Sequence, residues 1–267
     1  MNKASTQVGG PPGFKILVET EREVALESLD HLVPWGTRRD NSVNQRFNDK
    51  LYKLYPLGKA LKILDLGCSG GGFVRNCLDD GHLGIGLEGS DYSKRLRRAE
   101  WRTIPEYLFT ADITADFDIR AEEKGEVKRI EFDIVTSWEV MEHIATPDIL
   151  RVANNVKKHL APGALWIMSV SPRPDIINGV NLHQTVQAKP WWVAKLAELG
   201  LTSVPQYVSY FNTQWVRGPK YGYSDSFHLV VAKDRTGLPT IPSEGILRWI
   251  YDRWLCSMPQ KFLAGRF

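Results

Sequence analysis

Apolar positions along the chain follow two rhythms. Between residues 41 and 56 they recur at helical spacing, with Val43, Phe47, Leu51 and Leu54 on one face. This predicts about three turns of amphipathic helix, capped by Asp40 or Asn41. From residue 61 short apolar runs at 61–66, 83–88, 106–111, 132–137 and 164–171 alternate with helical stretches at 72–80, 92–101 and 148–160. Strand and helix in repetition predict an α/β fold, a mostly parallel sheet with helices on both faces. A further helix is predicted at 188–199, closed by Gly200, and late strands at 202–211 and 226–234. Upstream, 14–19 reads as a short strand and 19–32 as a short helix. The end, 245–255, is amphipathic, with Ile246, Trp249, Ile250 and Trp254 on one side. It is expected to pack on the domain or on a second subunit, which makes a homodimer the candidate assembly. The expected division is a loose Gly/Pro-rich tail at 1–13, an N-terminal helical lid at 14–58, the main domain at 59–235 and a C-terminal extension at 236–267.

Composition narrows the class. Hydrophobic residues make up 43% and charged residues 24% of the 267, which excludes wholesale disorder. A net charge of +3 is too mild to declare a nucleic-acid binder. Cys68, Cys77 and Cys256 form neither a disulfide framework nor a zinc-like spacing, so a reducing compartment and no metal centre are expected. The first residues contain no apolar secretory core, and no run approaches 18 apolar residues. The expected location is therefore cytoplasmic.

The candidate chemistry begins at LDLGCSGGGFV, residues 64–74. A strand ends in Asp65 and glycines turn the chain into a helix. Glycine allows the sharp turn and a close ligand approach, and the helix start offers free N–H groups. A charge at Asp65 is awkward for a phosphate but suits an amino or sulfonium group. Ser69 also occupies the second glycine slot of the dinucleotide fingerprint, so that match is imperfect. Glu88 follows Gly67 by 21 residues, the interval at which a βαβ unit sets an acid on ribose hydroxyls. Asp112, after the third run, can accept from an exocyclic amine such as that of adenine, or cap a turn.

Together these residues resemble the class I S-adenosylmethionine-dependent methyltransferases over roughly residues 60–235. LDLGCSGGG resembles the first family motif, GIGLEGS the second, TADIT the third and FDIVTSWEVMEHI the fourth strand with its turn. The resemblance implies a Rossmann-like, seven-stranded sheet whose last strand runs antiparallel. It also implies S-adenosylmethionine held by Asp65, Gly67, Cys68, Ser69, Gly70, Glu88, Gly89, Asp112, Ile113 and Ser137. Members often carry a bulky residue after the ribose acid; with Gly89 there, the adenine wall must come from elsewhere.

Methyl transfer to a hydroxyl needs alignment and a proton acceptor. His143, in EVMEHI, and His183, in GVNLHQT, are the candidate bases; each also has a structural alternative. His31, His82, His159 and His228 read as surface or satisfied core histidines. The fourth strand is followed by Ser137-Trp138-Glu139, not by an Asn/Asp-Pro-Pro-aromatic or Pro-Cys motif, which disfavours base methylation of nucleic acid. The basic run 94–98 reads as a solvated face before it reads as an RNA footprint. Trp35, Arg38, Asn41 and Trp138, with Asn181, Trp191 and Trp192, are expected to wall a small polar or saccharide substrate. The expected reaction is methylation of an oxygen in preference to a nitrogen. RNA methylation, a nicotinamide-dependent oxidoreductase and a non-catalytic partner subunit are the competing readings.

Overall fold

The structure, a computed structural model, describes residues 5–33, 35, 40–218 and 225–252. The chain opens with strands β1 (Ser5–Gly9) and β2 (Phe14–Thr20), helix α1 (Gln45–Tyr52) and β3 (Lys62–Leu66). Then come α2 (Gly72–Asp79), β4 (Leu83–Glu88), α3 (Tyr92–Arg95), β5 (Leu108–Thr110), β6 (Phe117–Glu123) and β7 (Glu126–Arg129). After β8 (Phe132–Trp138) follow α4 (Ile149–His159), β9 (Leu160–Val170), a small hairpin of β10 (Ile176–Ile177) and β11 (Val180–Asn181), and α5 (Lys189–Glu198). β12 (Thr202–Ser203), α6 (Pro205–Phe211), β13 (Phe227–Ala232) and α7 (Ile246–Ile250) complete it.

Seven strands form one sheet in the order β12-β13-β9-β8-β3-β4-β5. The pairs along β9, β8, β3, β4 and β5 are parallel, and β13 runs antiparallel to both its neighbours. Period-two alternation distributes the side chains. Leu64, Val135, Trp166, Met168 and Val231 face a core shared with Val152 and Val156 of α4 and Trp192 and Leu196 of α5. Ile63, Ile134, Leu165, Ile167 and Val230 face the opposite core, with Phe47 and Leu51 of α1 and Tyr207 and Phe211 of α6. Both faces are covered, so the central strands read as unbroken apolar runs. This is the predicted seven-stranded α/β architecture with its antiparallel last strand.

Several local expectations are corrected. Residues 5–9 are strand, because β1 pairs antiparallel with β2, and β2 pairs with β6 in a second sheet of order β1-β2-β6-β7. The β6–β7 hairpin went unread in the sequence, although Lys124 and Gly125 at φ 52° and 82° supply its turn. Residues 19–32 are not an α-helix. Their backbone bonds go elsewhere: Ala25 N–H to Gly89 O at 2.8 Å, and Asp112 N–H to Arg22 O at 2.9 Å. Only Leu29–Leu32 closes into a 3₁₀ turn. Helix α1 is capped by Asn44, whose side chain accepts from Arg46 N–H, and not by Asp40 or Asn41. The helix at 92–101 stops at Arg95 and a 3₁₀ turn spans Ala99–Arg102, with Arg97 and Ala99 at positive φ. The strand expected over 202–211 is two residues of β12 and then α6. Pro205 opens that helix and Tyr207, Tyr210 and Phe211 bury one face. At the C-terminus, α7 leaves Ile246 and Leu247 exposed; Trp254 lies outside the described residues.

Candidate active site

The carboxyl ends of β3, β4 and β8 open on a cavity of about 750 Å³. This lies within the roughly 300–1,000 Å³ of small-molecule sites. One wall is built by the turn after β3. Gly67 (φ +70°), Ser69 (φ +48°) and Gly71 (φ +87°) alternate through left-handed conformations that side chains rarely adopt. Serine tolerates it because every polar group is engaged. Its N–H donates to Glu88 Oε2 at 2.7 Å, its Oγ donates to Asp40 O at 3.1 Å, and its O accepts from Trp101 Nε1 at 2.7 Å. Departure from glycine at this slot is thus compatible with the tight turn.

Glu88 lines the cavity at the end of β4, held by the N–H groups of Ser69 and Ser90 (3.1 Å). A carboxylate has about four acceptor sites, so capacity for two hydroxyls remains. Burial raises its pKa, against those two hydrogen bonds. Gly89 and Ile113 lie on the same wall. The covering that Gly89 lacks comes from the strap of chain 22–32: a Cβ on Gly89 would lie 3.2 Å from Ala25 Cβ. Asp112 also lines the cavity, but its carboxylate is engaged. Oδ2 pairs with Arg22 Nε at 3.0 Å, and Oδ1 accepts from Thr114 N–H and Oγ at 2.9 and 2.6 Å.

Other expected cofactor residues stand behind this wall. Asp65 is buried under the turn, where Thr136 Oγ donates to it at 2.6 Å. Burial lifts its carboxyl to about 7, against the Thr136 bond and with the charges of Asp40 and Glu88. Cys68 packs with Val74, Trp101, Ile104 and Leu108. Gly70 lies against the N-terminal segment, where a Cβ would come 2.6 Å from Asn41 Oδ1. Ser137 is fully buried and accepts from Trp166 Nε1 at 3.0 Å. None of these four residues lines the cavity.

Among the expected substrate residues, Trp138 reaches the cavity and rests edge-on against Phe47 at 5.1 Å. Asn41 instead shapes the glycine turn and donates to Glu100 at 3.3 Å. Trp35 is 46% exposed and off the cavity wall, and Arg38 lies outside the described residues. Trp192 belongs to the core. Asn181 organises the loop after β9, accepting from Asp175 N–H at 2.9 Å and donating to His183 O at 2.8 Å.

His143 and His183 both line the far end of the cavity, their rings edge to face at 4.6 Å. His143 Nδ1 bonds Asp30 Oδ1 at 2.8 Å, and His183 Nδ1 bonds the Arg173 carbonyl. Both partners are acceptors, so each Nδ1 carries the proton and each neutral ring keeps its lone pair on Nε2. Burial opposes charge on His143, but the Asp30 bond and the charges of Asp30, Glu142 and Asp175 outweigh it and raise its pKa. Burial, reinforced by the neighbouring His143, lowers that of His183. Glu142, fully buried, accepts from Ser171 N–H at 2.7 Å through Oε1; its Oε2 has no hydrogen-bond partner among the described residues. His159 is a satisfied core histidine, accepting from Ile119 N–H at 3.0 Å. His31, by contrast, joins the cavity wall.

Asp30, Arg22, Arg173 and Arg217 were not singled out in the sequence, and all four line the cavity. Arg217 pairs with Asp40 and with Glu139 Oε2 at 3.2 Å. None of them sits in a motif; each arrives from a segment remote in sequence. The basic run is exposed over 94–97 and forms surface pairs: Lys94 with Glu23 at 3.2 Å and Arg95 with Asp91 at 3.3 Å, while Arg98 donates to Ser93 at 3.1 Å. Among the described residues no helix is long and apolar enough to cross a membrane.

A family model described as a methyltransferase domain matches residues 37–214. Among curated proteins none matches the sequence. Similar solved structures include a TehB-like SAM-dependent methyltransferase from Corynebacterium glutamicum (16% identity, 78% of this chain and 98% of that chain, TM-score 0.47). Magnesium protoporphyrin IX methyltransferase from Synechocystis is 14% identical over 78% of this chain and 97% of its own, with a TM-score of 0.48. An amino pentose methyltransferase from Micromonospora echinaspora is 14% identical over 74% and 94%, with a TM-score of 0.47.

Proposed function

The chain belongs to the methyltransferase-domain family and is an S-adenosylmethionine-dependent methyltransferase, and from that premise we propose that it methylates an oxygen, in preference to a nitrogen, of a small polar or glycan acceptor. The donor, when bound, supplies a methyl group on a sulfonium, open to in-line displacement. Gly67, Ser69, Glu88, Gly89, Asp112 and Ile113 would hold it; they form one continuous wall of a cavity with room for it. Glu88 retains acceptor capacity for two vicinal hydroxyls, as a ribose requires.

The observation that carries the choice of oxygen is the imidazole pair. An amine attacks through a lone pair it already has. A hydroxyl must lose its proton during the transfer, and a positioned base supplies that step. His143 and His183 both line the cavity with their Nδ1 protons committed to Asp30 and to the Arg173 carbonyl, which leaves Nε2 as the acceptor of each neutral ring. His143, whose imidazolium a carboxylate stabilises, is the base in this reading; His183 faces it and shapes the acceptor's approach. Arg151, Arg173, Asp148, Asp175 and Gln184 surround the pair with donors and acceptors, which suits a hydroxylated substrate.

The test is a screen of activated sugars and small hydroxylated acceptors with radiolabelled methyl donor, followed by assignment of the product bond. An ether product is expected, with His143→Ala slowing turnover roughly 10²–10⁴-fold and His183→Ala slowing it less. S-adenosylhomocysteine binding should survive in both variants. A methylated nitrogen, or full turnover in both variants, refutes the proposal.

A further inference from the structure

We propose that Asp30 is a positioning residue that holds His143 as the proton acceptor of the site, and that the N-terminal strap 22–32 exists in part to deliver it. The inference rests on the reading of His143 as the base and adds to it a residue and a chain segment.

The geometry is specific. Asp30 Oδ1 sits 2.8 Å from His143 Nδ1, a bond that fixes the ring's tautomer and rotation. Asp30 is itself placed: it lies in the 3₁₀ turn Leu29–Leu32, where Ser28 caps the turn and accepts from Asp30 N–H at 3.3 Å. The strap is anchored twice on the opposite wall, by Ala25 N–H to Gly89 O and by the Arg22–Asp112 pair. One segment therefore covers the wall assigned to the adenosyl group and reaches the imidazole at the acceptor end. The groups facing His143 come from three elements. Asp30 belongs to the strap, Glu142 to the turn that carries His143, and Asp175 and His183 to the loop after β9. Of these, Asp30 is the one hydrogen-bonded to the imidazole. A carboxylate in that position stabilises the imidazolium that forms when the ring takes a proton.

The experiment follows the imidazole nitrogens of the full chain by heteronuclear NMR across pH, with S-adenosylhomocysteine present, in the natural protein, Asp30→Asn and Asp30→Glu. His143 should titrate above an ordinary histidine and hold its proton on Nδ1. In Asp30→Asn its midpoint should fall and both tautomers appear, while His183 keeps its Nδ1 proton and the ligand still binds; Asp30→Glu should recover part of the effect. Once an acceptor is known, Asp30→Asn should lower kcat by at least about tenfold with KM little changed, and move the acidic limb of the pH–rate profile. The loss should fall well short of the roughly 10⁴-fold seen for a fully buried partner, because the Asp30 side chain is 43% exposed. If His143 titrates identically in Asp30→Asn, the positioning role is overturned while the base survives. If the titration moves but His143→Ala retains full turnover, the base reading itself falls and takes this one with it.

Discussion

Replacing Glu142 by glutamine isolates a fully buried carboxyl in the turn that carries His143. The carboxyl is fully buried, Oε1 takes the Ser171 N–H, and Oε2 finds no hydrogen-bond partner among the described residues. Burial pushes its pKa from 4.5 to about 7, against the opposing effects of His143's charge and of backbone N–H groups. The folded chain thus holds this proton more tightly than the unfolded chain does. Stability from it is fully present below about 4.5 and is lost as pH rises through about 7. At about 1.4 kcal/mol per tenfold in proton affinity, the loss is about 3 kcal/mol. Glutamine keeps the Ser171 bond and cannot ionise. Urea unfolding of both proteins at pH 5 and pH 8 reads the effect. The variant should be the less pH-sensitive by about 3 kcal/mol. Asp65, also raised to about 7, tilts both curves alike and cancels in the difference. Parallel curves for the two proteins would refute the assignment of a buried, protonated Glu142.

Two further substitutions probe the frame around the site. In Gly67→Ala the left-handed φ of +70° costs roughly 1–2 kcal/mol. The new Cβ would also lie 2.5 Å from Val140 Cγ2, adding about 1–3 kcal/mol of overpacking. Calorimetry should show weakened S-adenosylhomocysteine binding alongside the lower unfolding midpoint; unchanged affinity would move the binding wall away from this turn. Lys50→Met removes a buried ammonium that pairs with Glu244 at 2.6 Å and Asp252 at 3.4 Å and donates to Tyr210 O at 2.8 Å. Fully buried Asp252 keeps Arg248 at 3.2 Å but loses its lysine, so the cost in unfolding free energy should fall below the roughly 3–5 kcal/mol of a buried charge left wholly unpaired. A midpoint within error of the natural protein would mean the cluster contributes nothing to holding 244–252 on α1.

The alternating apolar runs and helical stretches were enough to read the parallel sheet. They were also enough to place the glycine turn after β3 and an acid 21 residues beyond Gly67. These are local properties: burial on both faces demands unbroken apolar strands, and a tight turn demands glycine. The strap at 19–32 has helical composition, yet its backbone bonds Gly89 and Asp112, partners that no window of sequence contains. Likewise α6 carries β-branched and aromatic residues and becomes a helix because Tyr207, Tyr210 and Phe211 find a shared core.

The candidate site divides along the same line. Glu88, Gly89, Asp112, Ile113, His143 and His183 were visible as residue types at telling positions, and all face the cavity. Asp65, Cys68, Gly70 and Ser137 sat in the same motifs and lie behind its wall. In a strand a step of one residue reverses the direction of a side chain, in a turn the local backbone angles set it, and a motif records neither. Asp30 carried no mark at all, since its place beside the cavity depends on a 2.8 Å contact with a ring 113 residues away. Chain chemistry alone determined the sheet, the turn and the class of ligand. Which acids line the cavity, and which carboxylate bonds the His143 imidazole, was decided only by tertiary packing, because hydrogen bonds and desolvation act through space between groups the chain order keeps apart.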